Sequence, residues 1–106
     1  MTDNIKILKD LKGHLKKHLG NEIKEVILFG SRISDVAEID SDYDILIILQ
    51  EKPDWQKKRV ISDLCYDIEL KYNIIMDTHL LGETEITSLR GRQPIFKKAI
   101  TNGLYA

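Results

Sequence analysis

Apolar residues recur along the chain with two different periods, and these periods predict its helices and strands. Near the N-terminus they return every three or four positions between lysines and acids, which is typical of an amphipathic helix with one buried face. Gly20 and Asn21 are suited to ending that helix. The residues expected on its buried face are Ile5, Leu8, Leu11, Leu15 and Leu19.

Two short and almost continuous apolar runs follow, and their branched side chains predict buried strands. The first covers residues 24–29 and ends at a Gly-Ser turn, and the second covers residues 43–49 after a polar segment. A long amphipathic helix then begins near Pro53 and is interrupted at Asn73. A third strand is predicted for residues 74–81 and a closing helix for residues 94–101.

The predicted order is therefore helix, strand, strand, helix, strand, helix. Short strands covered by helices predict an α/β (α+β) fold, in which helices pack on a small mixed β-sheet. A chain of 106 residues has the usual size of one compact unit, so a single domain over residues 1–106 is expected.

Charge and composition exclude several classes of protein. The 16 basic and 17 acidic residues nearly balance, so neither direct nucleic-acid binding nor attraction to a membrane surface is expected. Without a signal-like or membrane-spanning apolar run, the sequence predicts a cytoplasmic protein. Cys65 is the only cysteine and falls at an apolar position of a helical pattern, where a buried structural residue is the ordinary occupant.

Candidate chemistry is concentrated between the first two strands. Asp42 and Asp44 enter the second strand two positions apart, so their side chains are expected on one face, where they repel each other unless a cation lies between them. Mg²⁺ meets that requirement, because it prefers oxygen ligands and binds through one or two carboxylates together with substrate phosphates. The alternative is an ordinary polar turn before a strand.

The turn upstream of these acids has the features of a phosphate site. Gly30 permits a sharp bend and close approach, and Ser31 and the following amides are hydrogen-bond donors. Arg32 adds a charged donor. Together with the acids, this turn predicts a site for a nucleoside triphosphate and metal, in which two ions can clamp an in-line phosphoryl displacement.

Gly30-Ser31, ten residues, and then Asp42-Tyr43-Asp44 resembles the signature of the DNA polymerase beta-like nucleotidyltransferase superfamily. The length and the order of elements are similar to its smallest branch, the minimal nucleotidyltransferase (MNT) proteins. The resemblance implies that Asp42 and Asp44 bind metal, that Gly30 and Ser31 hold the triphosphate, and that a third acid on a later strand completes the site.

Two residues compete for the role of third acid. Asp77 lies within the apolar third strand, where a carboxylate needs a partner or a metal to offset its desolvation. Asp67 lies on the preceding helix and is expected to face solvent, so Asp77 is preferred. His79 alternates with Asp77 on the same strand face, and its role is left open between supporting the site and being an ordinary structural histidine.

The leading hypothesis is a Mg²⁺-dependent transferase that places AMP from ATP on a hydroxyl acceptor and releases pyrophosphate. The resemblance to MNT antitoxins implies that the acceptor is a tyrosine of a partner HEPN-family ribonuclease toxin. Two alternatives remain: a degenerate binding module that neutralises a toxin by complex formation, and a transferase acting on a small molecule such as an aminoglycoside. The sequence leaves the base preference and the formation of a homo-oligomer open.

Overall fold

A computed structural model of the chain describes residues 4–30, 43–86 and 93–106. In these ranges α-helices and β-strands alternate much as the apolar pattern predicts, and the mixed α/β class is confirmed. Short 3₁₀ turns at Gly20–Glu22 and Glu83–Glu85 follow the first helix and the third strand. The elements are α1 (Asn4–Leu19), β1 (Ile23–Phe29), β2 (Tyr43–Leu49), α2 (Trp55–Tyr72), β3 (Met76–Gly82), α3 (Pro94–Asn102) and β4 (Leu104–Tyr105).

The four strands form one mixed sheet in the order β3-β2-β1-β4. β1 runs antiparallel to both of its neighbours, whereas β2 and β3 are parallel. Parallel neighbours need a long crossover connection, and α2 provides it. The sheet therefore contains one strand-helix-strand unit, with β1 and β4 added on the other side of β2.

Helices cover both faces of the sheet. Val26 and Leu28 of β1 belong to the core that α1 and α2 close, while the intervening Ile27 packs in a second core with Phe96 of α3. Because successive strand side chains point to opposite faces, a strand covered on both sides must be apolar at every position. This explains why β1 and β2 read as continuous apolar runs rather than as alternating patterns.

The long helix α2 has well-defined ends. The Asp54 side chain accepts a hydrogen bond from the Lys57 backbone N–H at 2.7 Å, which caps the N-terminus. Asn73 adopts a left-handed conformation with φ 54°, and the N–H of Ile74 then donates to the Glu69 carbonyl. The backbone N–H of Ile74 is used in this helix end and is not available for strand pairing. β3 therefore begins at Met76 rather than at residue 74 as predicted.

Two further expectations from the pattern need correction. Ile5 is 50% exposed, and Ile7 lies in the core in its place, next to Leu8 and Leu11. The strand β4 was not predicted, because its two residues are too few to carry a period. It is formed by pairing with Ile27 and Leu28 at the edge of the sheet.

None of the helices in the described ranges has the length and apolar character required to cross a bilayer.

Cys65 lies on the side of α2 that packs in the core, where burial raises the pKa of its thiol to about 12. We expect the folded chain to resist alkylation by iodoacetamide at about pH 8, because the thiolate is the reactive form. In the unfolded chain this thiol has its ordinary pKa of 9.0. Above that pH the unfolded chain loses the proton while the folded chain keeps it, so the free energy of unfolding should fall as the pH rises. Mass spectrometry after alkylation with and without urea measures the protection, and rapid labelling without urea would contradict it.

Candidate active site

The register of the parallel strands places two carboxylates side by side. Asp44 of β2 is the direct partner of Asp77 of β3, and each is the second residue of its strand. Phe29, the last residue of the antiparallel β1, is opposite Asp44 on the other side. The end of β1 and the beginnings of β2 and β3 therefore meet at one edge of the sheet.

Gly30 leaves the sheet at this same edge and fits closely against Asp44. Its φ of +80° lies in the left-handed region, which side chains disfavour. A Cβ placed on Gly30 would also overlap the Oδ2 atom of Asp44. Glycine is therefore required here for two reasons, and the second shows that the turn after β1 approaches the carboxylate directly.

Asp44, Asp77 and His79 form a cluster of side chains with the donor atoms that a metal ion requires. One ligand atom from each residue lies within 4.8 Å of the others. Because side chains alternate along a strand, Asp44 lies on the same face as Leu46, and Asp77 and His79 lie on the same face as Leu81. This is the face that α3 partly covers. The Asp77 side chain is 57% exposed, so the cluster opens towards solvent.

The predicted site residues divide into three groups. Gly30, Asp44 and Asp77 are brought together at one sheet edge. Ser31, Arg32 and Asp42 lie outside the described residues, so the geometry expected for the Asp42 and Asp44 pair and for the triphosphate turn stays a prediction. Asp67, the competing third acid, is away from the cluster on α2, where its Oδ2 atom lies 2.9 Å from Nε2 of His14.

His79 is a member of the cluster that sequence reasoning did not include among the predicted site residues. Its Nε2 atom lies 3.5 Å from Oδ2 of Asp77, and its ring centroid lies 5.7 Å from that of Phe29 and 6.2 Å from that of Phe96. The signal available in the sequence was its position two residues after Asp77. That spacing alone could not show that Asp44 would lie beside both.

A cavity of about 290 Å³ adjoins the turn and is formed between the sheet and α3. Apolar side chains make up much of its wall, and Lys98 adds a positive charge. A planar ring with a nearby phosphate is the kind of group that such a cavity suits. The lining residues are Phe29, Gly30, Ile95, Lys98 and Asn102.

Comparison with known proteins agrees with this geometry. Residues 9–103 match the family described as polymerase beta, nucleotidyltransferase. The chain belongs to the polymerase beta nucleotidyltransferase family. Enzymes of this family use a nucleoside triphosphate and divalent metal ions, and the oxygen and nitrogen donors of the cluster fit such an ion.

Two proteins of Methanocaldococcus jannaschii, each named "putative protein adenylyltransferase", are similar to this nucleotidyltransferase. One is 32% identical over 84 residues, covering 79% of this chain and 85% of its own. The other is 33% identical over 78 residues, covering 74% and 73%.

A solved structure shares the fold of this nucleotidyltransferase. It is a chain from the crystal structure of a mutant toxin-antitoxin pair named MntA-HpeT, with a TM-score of 0.59 and 17% identity. The match covers 98% of this chain and 72% of the other.

Replacing Gly30 tests the close approach of the turn to Asp44. We expect Gly30→Ala to lower the free energy of unfolding by more than Gly20→Ala does, and to impair nucleotide binding. Gly20 is the matched control, because it also has a positive φ, +58°, but a Cβ there meets nothing within 4 Å. The conformational cost alone is about 1–2 kcal/mol.

Urea unfolding and nucleotide titration measure the two effects. Equal losses of stability for both variants, together with unchanged nucleotide binding by Gly30→Ala, would contradict the assignment.

Proposed function

We propose that this chain is a Mg²⁺-dependent adenylyltransferase that transfers AMP from ATP to a tyrosine of a partner HEPN-family ribonuclease toxin, and thereby acts as its antitoxin. The observation that carries the proposal is the juxtaposition of Asp44, Asp77 and Gly30 at one sheet edge. A triphosphate site needs acids to hold metal and a glycine turn to hold phosphate. The described residues supply two acids and the glycine at the same sheet edge.

The proposed roles follow from the chemistry of each group. Asp42, Asp44 and Asp77 hold the metal, and Gly30, Ser31 and Arg32 hold the triphosphate. Two Mg²⁺ ions, when bound, neutralise charge on the attacking and leaving oxygens. The acceptor oxygen forms a bond to the α-phosphorus, the bond from that phosphorus to the bridging oxygen breaks, and pyrophosphate leaves.

The hydroxyl proton of the acceptor must be removed as this bond forms. Asp77 is the carboxylate that we assign to this step, because more than half of its side chain is open to solvent, from which an acceptor would approach. His79, 3.5 Å away, lies on the buried side of the same carboxylate. Asp77 therefore presents one side to the acceptor and the other to the protein.

A protein acceptor agrees with the surface close to the site. Ile75, two residues before Asp77, is 64% exposed. An exposed apolar side chain beside the site is available to contact another protein. The names of the two archaeal relatives support a protein substrate, and the toxin-antitoxin pair that contains the structural neighbour supports a toxin partner.

The test is transfer of label from ATP, carrying a radioactive α-phosphate, to the protein encoded beside this one, in the presence of Mg²⁺. We expect a labelled tyrosine with the native chain and with Asp67→Asn. Asp44→Asn and Asp77→Asn should each lower the rate by about two orders of magnitude or more, since metal-bound charge stabilisation is worth several kcal/mol.

Three results would count against parts of this proposal. An unlabelled neighbour would remove the assigned acceptor. A rate for Asp67→Asn as low as that expected for Asp77→Asn would contradict the choice of third carboxylate. Neutralisation of the toxin in cells by the double variant Asp42→Ala with Asp44→Ala, with the complex still forming, would show that binding alone suffices.

A further inference from the structure

The Nε2 atom of His79 is buried without a hydrogen-bond partner. Among the buried side-chain nitrogen and oxygen atoms of the described residues, it is the one that forms no hydrogen bond. Leaving such an atom unpaired destabilises the fold, so it calls for an explanation. The Phe29 and Phe96 rings flank the imidazole and limit how far it can turn towards water.

The position of this atom matches that of a metal ligand. It lies 3.5 Å from Oδ2 of Asp77, at the outer limit of a hydrogen bond, and it belongs to the cluster with Asp44 in which the ligand atoms lie within 4.8 Å of one another. Two ligands on one tetrahedral ion are separated by roughly 3.4 Å when the bonds are about 2.1 Å long. The spacing of His79 and Asp77 therefore suits a shared ion better than a direct bond.

A second acid-histidine pair in the same chain shows the difference. His14 and Asp67 have side chains that are 27% and 58% exposed, and His79 and Asp77 have side chains that are 27% and 57% exposed. The first pair is joined by a hydrogen bond of 2.9 Å, so its nitrogen has a partner. The pair at the sheet edge lacks this bond and has a second carboxylate beside it.

We propose that His79 is a metal ligand through Nε2, beside Asp44 and Asp77, and that this nitrogen raises the affinity of the chain for transition-metal ions such as Co²⁺ more than its affinity for Mg²⁺. The inference rests on the metal site of the proposed function. Imidazole nitrogen is a good ligand for transition metals, whereas Mg²⁺ prefers carboxylate, carbonyl and water oxygens. The added nitrogen therefore contributes more to the affinity for Co²⁺ than to the affinity for Mg²⁺.

The first test compares metal affinities by titration calorimetry, with and without an ATP analogue that cannot be cleaved at the α-phosphate. The variant is His79→Phe, which keeps a ring between Phe29 and Phe96 and removes both nitrogens. We expect roughly tenfold or greater loss of Co²⁺ affinity and little change for Mg²⁺. The matched control, His14→Phe, should leave both affinities unchanged.

Equal Co²⁺ affinity in the native chain and in His79→Phe, each shown to be folded by its unfolding transition, would overturn the proposal. So would an equal loss of affinity for Mg²⁺ and for Co²⁺ in His79→Phe.

The second test observes the ligand directly by pulsed electron paramagnetic resonance with bound Mn²⁺. Modulation from a coordinated imidazole nitrogen is expected in the native chain and in His14→Phe, and is expected to vanish in His79→Phe. Bound Mn²⁺ without this modulation would overturn the proposal. That result, combined with normal transfer of label to the partner, would leave the proposed function intact, whereas modulation without transfer would count against the function alone.

Discussion

The pairing of Asp44 with Asp77 is the constraint on which the site depends. Two like charges at directly opposed positions of neighbouring strands destabilise a sheet, and parallel pairing fixes them there. The surrounding strand residues keep the register, since Ile45 and Leu81 are fully buried and a slip of one position would turn every side chain to the other face. The hydrophobic core thus holds the acids together against their repulsion, and a bound cation would relieve that repulsion.

The coverage of the sheet explains why the acids lie where they do. α1 and α2 cover one face, and α3 covers the other only in part, through Phe96 and Ala99. Asp44 and Asp77 are on this second face, at the edge where the strands begin. At this edge a strand residue is fixed by its neighbours, and the Asp77 side chain still reaches solvent, as the proposed metal and triphosphate would require.

The sequence predicted the elements well where a local pattern defines them, and poorly where contacts distant in the chain do. The apolar run of β2 and the capping residues of α2 each carry their own signal, and their bounds agree with prediction within about two residues. β4 is defined by its pairing with the edge of β1, and its two residues carry no sequence pattern that predicts a strand. The sequence favoured Asp77 over Asp67 because it expected Asp77 to be desolvated, but the two side chains are 57% and 58% exposed, so that expectation was wrong. What distinguishes Asp77 is its register with Asp44, which is a property of the folded sheet. The roles predicted for Ser31, Arg32 and Asp42 stay predictions.

Two histidines with acidic neighbours show why residue type and exposure do not by themselves define a site. His14 and Asp67 join α1 to α2 across the helical surface, and their mutual hydrogen bond satisfies both partners. His79 and Asp77 are exposed to the same extent as His14 and Asp67. The imidazole of His79, however, lies against aromatic rings, and a second carboxylate, that of Asp44, lies beside the pair. A metal that bound the first pair would have to break its hydrogen bond. The second pair has no such bond to break, which favours the metal site proposed there.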